Sequence, residues 1–388
     1  MINPSLKMQT LRGVIFNFFI QFLRGGINGL TALALAWFLV PGDFALVGMI
    51  AMALALANVM AAGGLRESLI RKVEVSSAEL NAVFLANIGL AVFTYSLLFA
   101  AAPFIATFFA EPRLESLLRV AGLSVLFTAL TIVPQVVLSR ALRFDEQLKV
   151  NIPSTILAAG SSLWFASMGF GVWALVIQMV VASLSNLVLY YWRNVWRPTG
   201  SFRLDTLPAL FRIGRFLLVE QLIGAPFRYI YIFFIARYFS ASVAGLYHFA
   251  DRVSELLIDQ LVNVVQGATF PALARVQEDP ERLKAGYRDV ILATTFIVFP
   301  VLLLIVSLIE TLFVVLLPER WLGAADYLQL MCIASIMYPL HALNLNMLRV
   351  TGRTDLVLYL GILKRCVAAL ILAVSFQYGI IAILIGQI

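Results

Sequence analysis

Residues 211–272, FRIGRFLLVEQLIGAPFRYIYIFFIARYFSASVAGLYHFADRVSELLIDQLVNVVQGATFPA, decide how the chain is interpreted. The stretch is long and apolar enough for two helices that cross a membrane, yet ionisable side chains run through both. Seven polar residues of the second helix share roughly 120° of arc on a helix that turns about 100° per residue: His248, Asp251, Arg252, Glu255, Asp259, Asn263 and Gln266. Because a carboxylate at mid-bilayer opposes insertion by about 3 kcal/mol, we expect this face to line water or to pair with cations.

Two other predicted helices carry similar polar stripes. The stripe in residues 211–237 consists of Glu220, Gln221, Arg228 and Tyr231. The stripe in residues 12–39 consists of Asn17, Gln21, Arg24, Asn28 and Thr31. Each helix is predicted to break in its middle, at Gly25-Gly26 and at Gly224-Ala225-Pro226, because glycine and proline weaken a continuous helix.

The rest of the chain is equally apolar. Hydrophobic residues make up 62% and charged residues 13% of the 388 positions, which excludes an ordinary soluble domain. Helices are predicted at 12–39, 43–70, 80–109, 114–140, 146–169, 171–192, 211–237, 243–271, 288–317, 322–349 and 354–376, and a twelfth begins at Tyr378. The predicted fold class is therefore all-α: a polytopic membrane protein with about 12 transmembrane helices.

The distribution of Lys and Arg predicts the orientation of these helices. Most of the basic residues fall in alternate loops, whereas the other loops contain only Arg113, Arg119, Arg237 and Arg320. The positive-inside rule then places the N-terminus and the longer loops in the cytoplasm. Five cations remain within the predicted spans and need a separate explanation: Arg24, Arg228, Arg252, Lys364 and Arg365.

An internal repeat divides the chain into two halves. A shift of 200 residues superposes Arg12 on Arg212 and Gln21 on Gln221, and the same order of matches continues along the chain. We therefore predict a six-helix lobe at 1–200 and a second lobe at 201–388, related by an axis along the membrane normal and facing each other across a central cavity. The second copy ends before its sixth helix is complete, so we expect a truncation at Ile388.

No catalytic constellation is recognisable in the sequence. Cys332 and Cys366 lack metal-ligand spacing, and no glycine-rich phosphate loop is followed by a lysine. The chain is therefore expected to be no enzyme, with no cofactor, no metal and no nucleic-acid partner. A membrane glycan polymerase or ligase is the rival from another class, although it should present a large outer loop, and the outer connections here are short.

Five segments together resemble bacterial polysaccharide exporters of the O-antigen flippase type, in the superfamily that also holds lipid II flippases and multidrug antiporters. The segments are 40–46 (VPGDFAL), 64–72 (GLRESLIRK), 141–144 (ALRF), 169–176 (GFGVWALV) and 270–277 (FPALARVQ). The resemblance extends over nearly the whole chain. It implies a flippase for polyprenyl-pyrophosphate-linked oligosaccharides in the bacterial inner membrane, which contacts membrane lipid and other polysaccharide assembly proteins.

The polar stripes are assigned on this basis. Arg24 and Arg228 are predicted to hold the pyrophosphate, because a guanidinium is a permanently charged bidentate donor. The predicted contacts to sugar hydroxyls are Asn17, Gln21, Asn28 and Gln221. The predicted groups for charge balance, or for coupling to a Na⁺ or H⁺ gradient, are Glu220, Asp251, Arg252, Glu255 and Asp259.

Two alternatives to this assignment remain open. The charged stripes can instead be interhelical salt bridges that hold a helical bundle together. The protein can also be a cation-coupled multidrug antiporter of the same superfamily, in which the carboxylates bind an organic cation directly.

Overall fold

The structure is a computed structural model that describes residues 4–72, 74–198, 204–275, 279–350 and 353–386. Side chains within these ranges are described except at 4–19, 204, 259–275, 280, 297, 349, 350, 354, 355 and 358. All regular secondary structure in the described ranges is helical, so the predicted all-α class is confirmed. Helices satisfy their backbone hydrogen bonds internally, which an apolar chain in lipid requires.

Every predicted span coincides with one helix or with a consecutive group of helices. The first six predicted spans correspond to α1 (Pro4–Phe38), α2 (Pro41–Ala62), α3 (Leu65–Arg71), α4 (Ser77–Phe108), α5 (Arg113–Ala121), α6 (Leu123–Arg140), α7 (Phe144–Ser167) and α8 (Trp173–Trp192). The remaining spans correspond to α9 (Leu207–Arg228), α10 (Ile230–Tyr238), α11 (Ala241–Arg275), α12 (Pro280–Leu316), α13 (Gly323–Ala334), α14 (Tyr338–Val350), α15 (Thr354–Ser375) and α16 (Ile380–Ile385). Short 3₁₀ turns lie before α9, α13, α14 and α16.

Seven helices in the described residues are long and apolar enough to cross a membrane, and the number rises to eight if the bent pair α9–α10 is one span. In this count α5 and α6 form one span, as do α13 and α14 with their flanking 3₁₀ turns. The protein is thus a multi-pass membrane protein. The total of twelve spans stays a prediction.

The two predicted helix breaks have different outcomes. The break at Gly25-Gly26 is wrong, because α1 continues through both glycines. The break at Gly224-Ala225-Pro226 is displaced: α9 continues to Arg228, and a bend of 40° follows at Tyr229. Proline removes a backbone donor and crowds the turn before it, but the helix accommodates Pro226 for another two residues.

The chain forms two compact units, 1–245 and 246–388. Helices α9 and α10, predicted to open the second lobe, belong to the first unit because α9 packs on α2 and α3. Ser68 Oγ donates a hydrogen bond to Leu210 O at 2.8 Å, and a Cβ at Gly214 would collide with the backbone of Gly64. The close approach of α3 and α9 therefore depends on glycine. The division into repeated lobes at residue 200 stays a prediction.

The second unit has its own aromatic core. Phe249 and Trp321 are fully buried, and their ring centroids lie 4.5 Å apart. Phe313 packs edge-on against Phe249 at 6.2 Å. These contacts tie α11 to the end of α12 and to the 3₁₀ turn that follows it.

Candidate functional site

A polar cavity of about 570 Å³ lies inside the first unit. It is formed by α1, α2, α3, α6, α7 and α8, together with the residue at the α9–α10 bend. Its polar lining consists of Gln21, Arg24, Asn58, Arg66, Ser124, Thr128, Thr131, Gln135, Gln147, Asn151, Ser183, Asn186, Tyr190 and Tyr229. A cavity of this size falls in the range of about 300–1,000 Å³ that is typical of sites for small molecules.

Two arginines give this cavity its charge. Arg24 projects from the middle of α1 and is half-buried, and Arg66 projects from the first turn of α3. Both guanidinium groups are cations, and no carboxylate is among the described lining residues. Such an arrangement attracts an anion, and phosphate oxygens match the bidentate geometry of guanidinium.

The remaining polar groups favour a ligand that carries hydroxyl groups. The hydroxyls of Ser124, Thr131 and Ser183 each donate to the backbone carbonyl three residues earlier, at 2.6, 2.8 and 2.9 Å. Because their protons are used in this way, these oxygens can act only as acceptors toward the cavity. Hydroxyl groups of a sugar are suitable donors to such oxygens.

Amide side chains of the lining, like the hydroxyls, use donor groups in hydrogen bonds within the protein. The amide nitrogens of Asn58, Gln135 and Gln147 donate to Leu54 O, Thr131 Oγ1 and Ser139 Oγ at 2.8, 3.0 and 2.9 Å. Asn186 Oδ1 is buried and has no hydrogen-bond partner. A buried acceptor without a partner destabilises the protein by about 1–3 kcal/mol, so Asn186 is a preferred point for a ligand hydroxyl.

Tyr190 connects the amides to the arginines. Its hydroxyl is hydrogen-bonded to Asn151, and it lies within electrostatic range of Arg24 and Arg66. The ring is only 1% exposed and packs in a cluster with Leu138 and Val150. The hydroxyl is thus held at the cavity wall by a rigid side chain.

The residues predicted on α1 are partly brought together. Gln21 and Arg24 line the polar cavity, whereas the half-buried Asn28 is not among the lining residues. The Asn17 side chain lies outside the described residues. Half of the predicted α1 set therefore faces one cavity.

The residues predicted on α9 lie elsewhere. Gln221 Nε2 donates to Glu67 Oε1 at 3.3 Å, which ties α9 to α3. Glu220 and Arg228 are exposed and do not line the polar cavity, which instead receives the neighbouring Tyr229. The second arginine in the lining of this cavity is Arg66, and the predicted joint contact of Arg24 and Arg228 with one ligand stays a prediction.

The sequence interpretation missed Arg66 and most of the amides. Arg66 lies inside the predicted helix 43–70 and is not among the predicted site residues; Gly63 and Gly64 have left-handed backbones, with φ of +57° and +68°, and α3 starts directly after them. Three other helices carry polar stripes at helical spacing: Thr128, Thr131 and Gln135; Gln147 and Asn151; and Ser183, Asn186 and Tyr190. Intramembrane polar residues are a functional signal, which makes these stripes readable in the sequence.

The carboxylates of α11 belong to the second unit. Glu255 Oε2 pairs with Arg252 Nη1 of the same helix at 3.3 Å. Asp251 lines a smaller cavity of about 310 Å³ with Ser254, Ser335, Tyr338, His341 and Lys364. The Asp259 side chain lies outside the described residues. The predicted convergence of these charges with Arg24 stays a prediction.

Solved structures with a similar fold are membrane transporters. The structure resembles a lipid II flippase MurJ in an inward closed conformation, with a TM-score of 0.79 and 12% identity over 97% of this chain and 84% of that chain. It also resembles an inward-facing multidrug resistance transporter of the MATE family, with a TM-score of 0.69 and 15% identity over 96% of this chain and 94% of that chain. At these identities the likeness establishes the fold.

Related sequences identify the family. The chain is 25% identical to the teichuronic acid biosynthesis protein TuaB of Bacillus subtilis over 84% of this chain and 70% of that protein. It is 24% identical to the lipopolysaccharide biosynthesis protein WzxC of Escherichia coli over 93% of this chain and 74% of that protein. The succinoglycan biosynthesis transport protein ExoT of Rhizobium meliloti is 25% identical over 86% of this chain and 68% of that protein. Residues 34–326 match the family model described as polysaccharide biosynthesis protein, and the chain belongs to that family.

Proposed function

We propose that this protein flips a polyprenyl-pyrophosphate-linked oligosaccharide from the cytoplasmic to the outer leaflet of the bacterial inner membrane. The observation that carries this proposal is the polar cavity, in which Arg24 and Arg66 are surrounded by amides and hydroxyls, without a carboxylate among the described lining residues. The names of TuaB, WzxC and ExoT, which refer to biosynthesis or transport of surface polysaccharides, support the same substrate class.

The physical need for a protein lies in the head group. Moving one phosphate charge into a medium like the bilayer core has an idealised cost of order 20 kcal/mol, whereas the apolar tail can remain in lipid. Arg24 and Arg66 replace the water around the pyrophosphate, and Gln21, Asn186 and Tyr190 contact sugar hydroxyls. The cavity thus offers the head group a solvated environment within the membrane.

The orientation follows from the positive-inside rule, with the N-terminus in the cytoplasm. Gln147 and Asn151 lie at the start of α7, and Tyr190 lies at the end of α8, so the cavity reaches the cytoplasmic ends of these helices. A lipid-linked oligosaccharide made on the cytoplasmic side then enters from the leaflet in which it is synthesised. Rocking of two lobes would move the occupied site to the other side.

Ion coupling is assigned to the second unit. Asp251 faces a small cavity that also receives His341 and Lys364, so its occupancy by a proton or a Na⁺ ion would alter a local charge balance. Glu255 is already paired with Arg252 on its own helix and serves charge balance. Coupling to an ion gradient would give the transport a direction.

The cavity distinguishes this function from the multidrug alternative. An organic cation would meet two guanidinium groups in the first unit and no compensating carboxylate among the described lining residues, which opposes its binding. An enzyme that polymerises or ligates glycans would instead need acid and base groups held over a substrate, and the described lining of this cavity contains no carboxylate for that purpose.

The decisive experiment deletes the gene and determines which leaflet contains the lipid-linked oligosaccharide. We expect accumulation in the cytoplasmic leaflet, reversal by the wild-type gene, and unchanged susceptibility to cationic drugs. Drug hypersensitivity with normal surface polysaccharide would establish the antiporter instead. Lipid-linked monomers that reach the outer leaflet without being polymerised would establish a polymerase.

A further inference from the structure

An apolar groove of about 770 Å³ lies in the first unit, between α2, α4 and the bent pair α9–α10. No charged side chain lines it among the described residues, and the only hydroxyl in its lining is that of Thr94. The lining includes six phenylalanines, which are Phe104, Phe108, Phe109, Phe227, Phe233 and Phe234. The groove is therefore suited to a hydrocarbon ligand.

This groove lies directly behind the polar cavity. On α2, Ala55 and Asn58 face the polar cavity, while Leu56 and Met60 face the apolar groove. At the α9–α10 bend, Tyr229 lines the polar cavity, whereas Phe227 and Ile230 line the groove. One helix and one bend thus separate a site for an anionic head group from a site for an apolar chain.

The length of the groove distinguishes between two hydrocarbon occupants. Its lining on α4 extends from Thr94 to Phe108, which at about 1.5 Å per residue corresponds to about 21 Å. Half of the hydrocarbon core measures about 15 Å. An acyl chain confined to one leaflet would leave part of the groove empty, whereas a long polyprenyl chain crosses the bilayer midplane.

The shape of the groove agrees with a branched chain. Ala53, Ala57 and Ala101 line it with methyl groups only, which leaves width for the methyl branches of isoprene units. Aromatic rings pack together in this lining where α4 ends: Phe108 stacks on Phe233 with 5.5 Å between ring centroids, and Arg237 lies over Phe108 at 5.3 Å.

We propose that this groove holds the polyprenyl chain of the transported lipid while the head group occupies the polar cavity. This inference rests on the proposed function and adds a tail site to it. The bend at Tyr229 then holds the junction between tail and pyrophosphate, because that residue separates the two compartments. The protein then recognises the polyprenyl chain of its substrate as well as the head group. Phospholipids do not displace this chain from the groove, although they are present in large excess.

Two neighbouring alanines of α4 provide a matched test by substitution. Ala101 lines the groove, whereas Ala100 is exposed and does not line it. We expect Ala101→Phe to lower the flipping rate about tenfold because the ring fills the space of the chain, and Ala100→Phe to leave it within about twofold. Protein abundance and melting temperature are measured for both variants. Equal flipping rates for the two, at equal abundance, would overturn the proposal.

Photo-crosslinking identifies the molecule that occupies the groove, and it does not depend on how well Ala101→Phe folds. A benzophenone amino acid is placed at Leu97, which lines the groove, or at Phe93, an exposed residue of α4 that does not line it. Each full-length protein is reconstituted in phosphatidylethanolamine and phosphatidylglycerol vesicles that contain a small fraction of radiolabelled polyprenyl pyrophosphate. We expect a labelled adduct at Leu97 in large excess over Phe93.

The outcomes that contradict the proposal can be distinguished from one another. Equal labelling at the two positions, or phospholipid adducts in proportion to the composition at Leu97, would make the groove ordinary lipid-facing surface and overturn the proposal. An adduct to a second copy of this chain would make it an interface. If the wild-type protein flips lipid-linked oligosaccharide while Leu97 captures no polyprenyl chain, only the tail site is refuted. If the wild-type protein flips none, the proposed function fails and the tail site with it.

Discussion

Substitution of Arg66 tests the charge of the polar cavity most sharply, since this residue joins Arg24 in the lining without being part of the predicted site. Hydrogen bonds to a charged group contribute about 1.5–3 kcal/mol each. Loss of one such contact weakens binding of a pyrophosphate by about 10- to 100-fold, because 1.4 kcal/mol corresponds to a factor of ten. We therefore expect Arg66→Gln to raise the concentration of lipid-linked oligosaccharide needed for half-maximal flipping by about this factor.

A double-mutant cycle then determines whether Arg24 and Arg66 share one anion. If both guanidinium groups contact the same pyrophosphate, the loss in Arg24→Gln/Arg66→Gln differs from the product of the single losses, because residues with a shared partner are not additive. Arg66→Lys keeps the charge but not the planar fork, so an intermediate loss is expected.

The assay is flipping in proteoliposomes at limiting substrate, with protein abundance and thermal unfolding measured in parallel. Arg71→Gln is the matched control, since Arg71 lies in the last turn of the same short helix, is exposed, and does not line the cavity. The reasoning is refuted if Arg66→Gln flips within about twofold of the wild-type rate at limiting substrate, or if Arg71→Gln loses as much.

Three further predictions concern packing, ligand contact and coupling. Gly214→Ala should strongly reduce abundance because its Cβ meets the backbone of Gly64, directly before α3, and normal abundance would contradict this close packing. Gly160→Ala, with open space around it, should be neutral or stabilising by up to about 1 kcal/mol. Asn186→Leu should unfold at an equal or higher temperature, because it removes a buried acceptor without a partner. The variant should also flip the lipid-linked oligosaccharide several-fold more slowly. An unchanged flipping rate would exclude a sugar contact at this position. Asp251→Asn should abolish the response of the flipping rate to an imposed H⁺ or Na⁺ gradient. The control Glu281→Gln, an exposed substitution in the first turn of α12, should keep that response. If Asp251→Asn also keeps the response, Asp251 has no role in coupling.

The helices could be predicted from the sequence because apolar runs of span length have no alternative structure in lipid. The break assigned to Gly25-Gly26 was wrong because glycine permits a break without requiring one, and α1 continues through both residues. At Pro226 the missing donor does weaken the helix, and the bend follows within three residues, at Tyr229.

The composition of the site was less predictable. A polar stripe shows that a helix face avoids lipid, but tertiary packing decides which stripes share one cavity. Gln21 and Arg24 share theirs with stripes of α6, α7 and α8, whereas Gln221 contacts Glu67 instead. Arg66 was missed because the sequence presents 43–70 as one span, whereas two left-handed glycines end α2 there and a new helix, α3, begins. That turn is local geometry, and hydrophobic periodicity does not report it.

The most direct test of the account measures translocation by purified protein. Vesicles that contain lipid-linked oligosaccharide and either wild-type protein or Arg24→Gln/Arg66→Gln are treated with a membrane-impermeant glycosidase, and the cleaved fraction is followed with time. With wild-type protein the cleaved fraction should rise beyond the share initially exposed, whereas with the double variant, folded and equally abundant, it should stay at that share. Equal translocation by both proteins would contradict the claim that the arginines of the polar cavity hold the pyrophosphate.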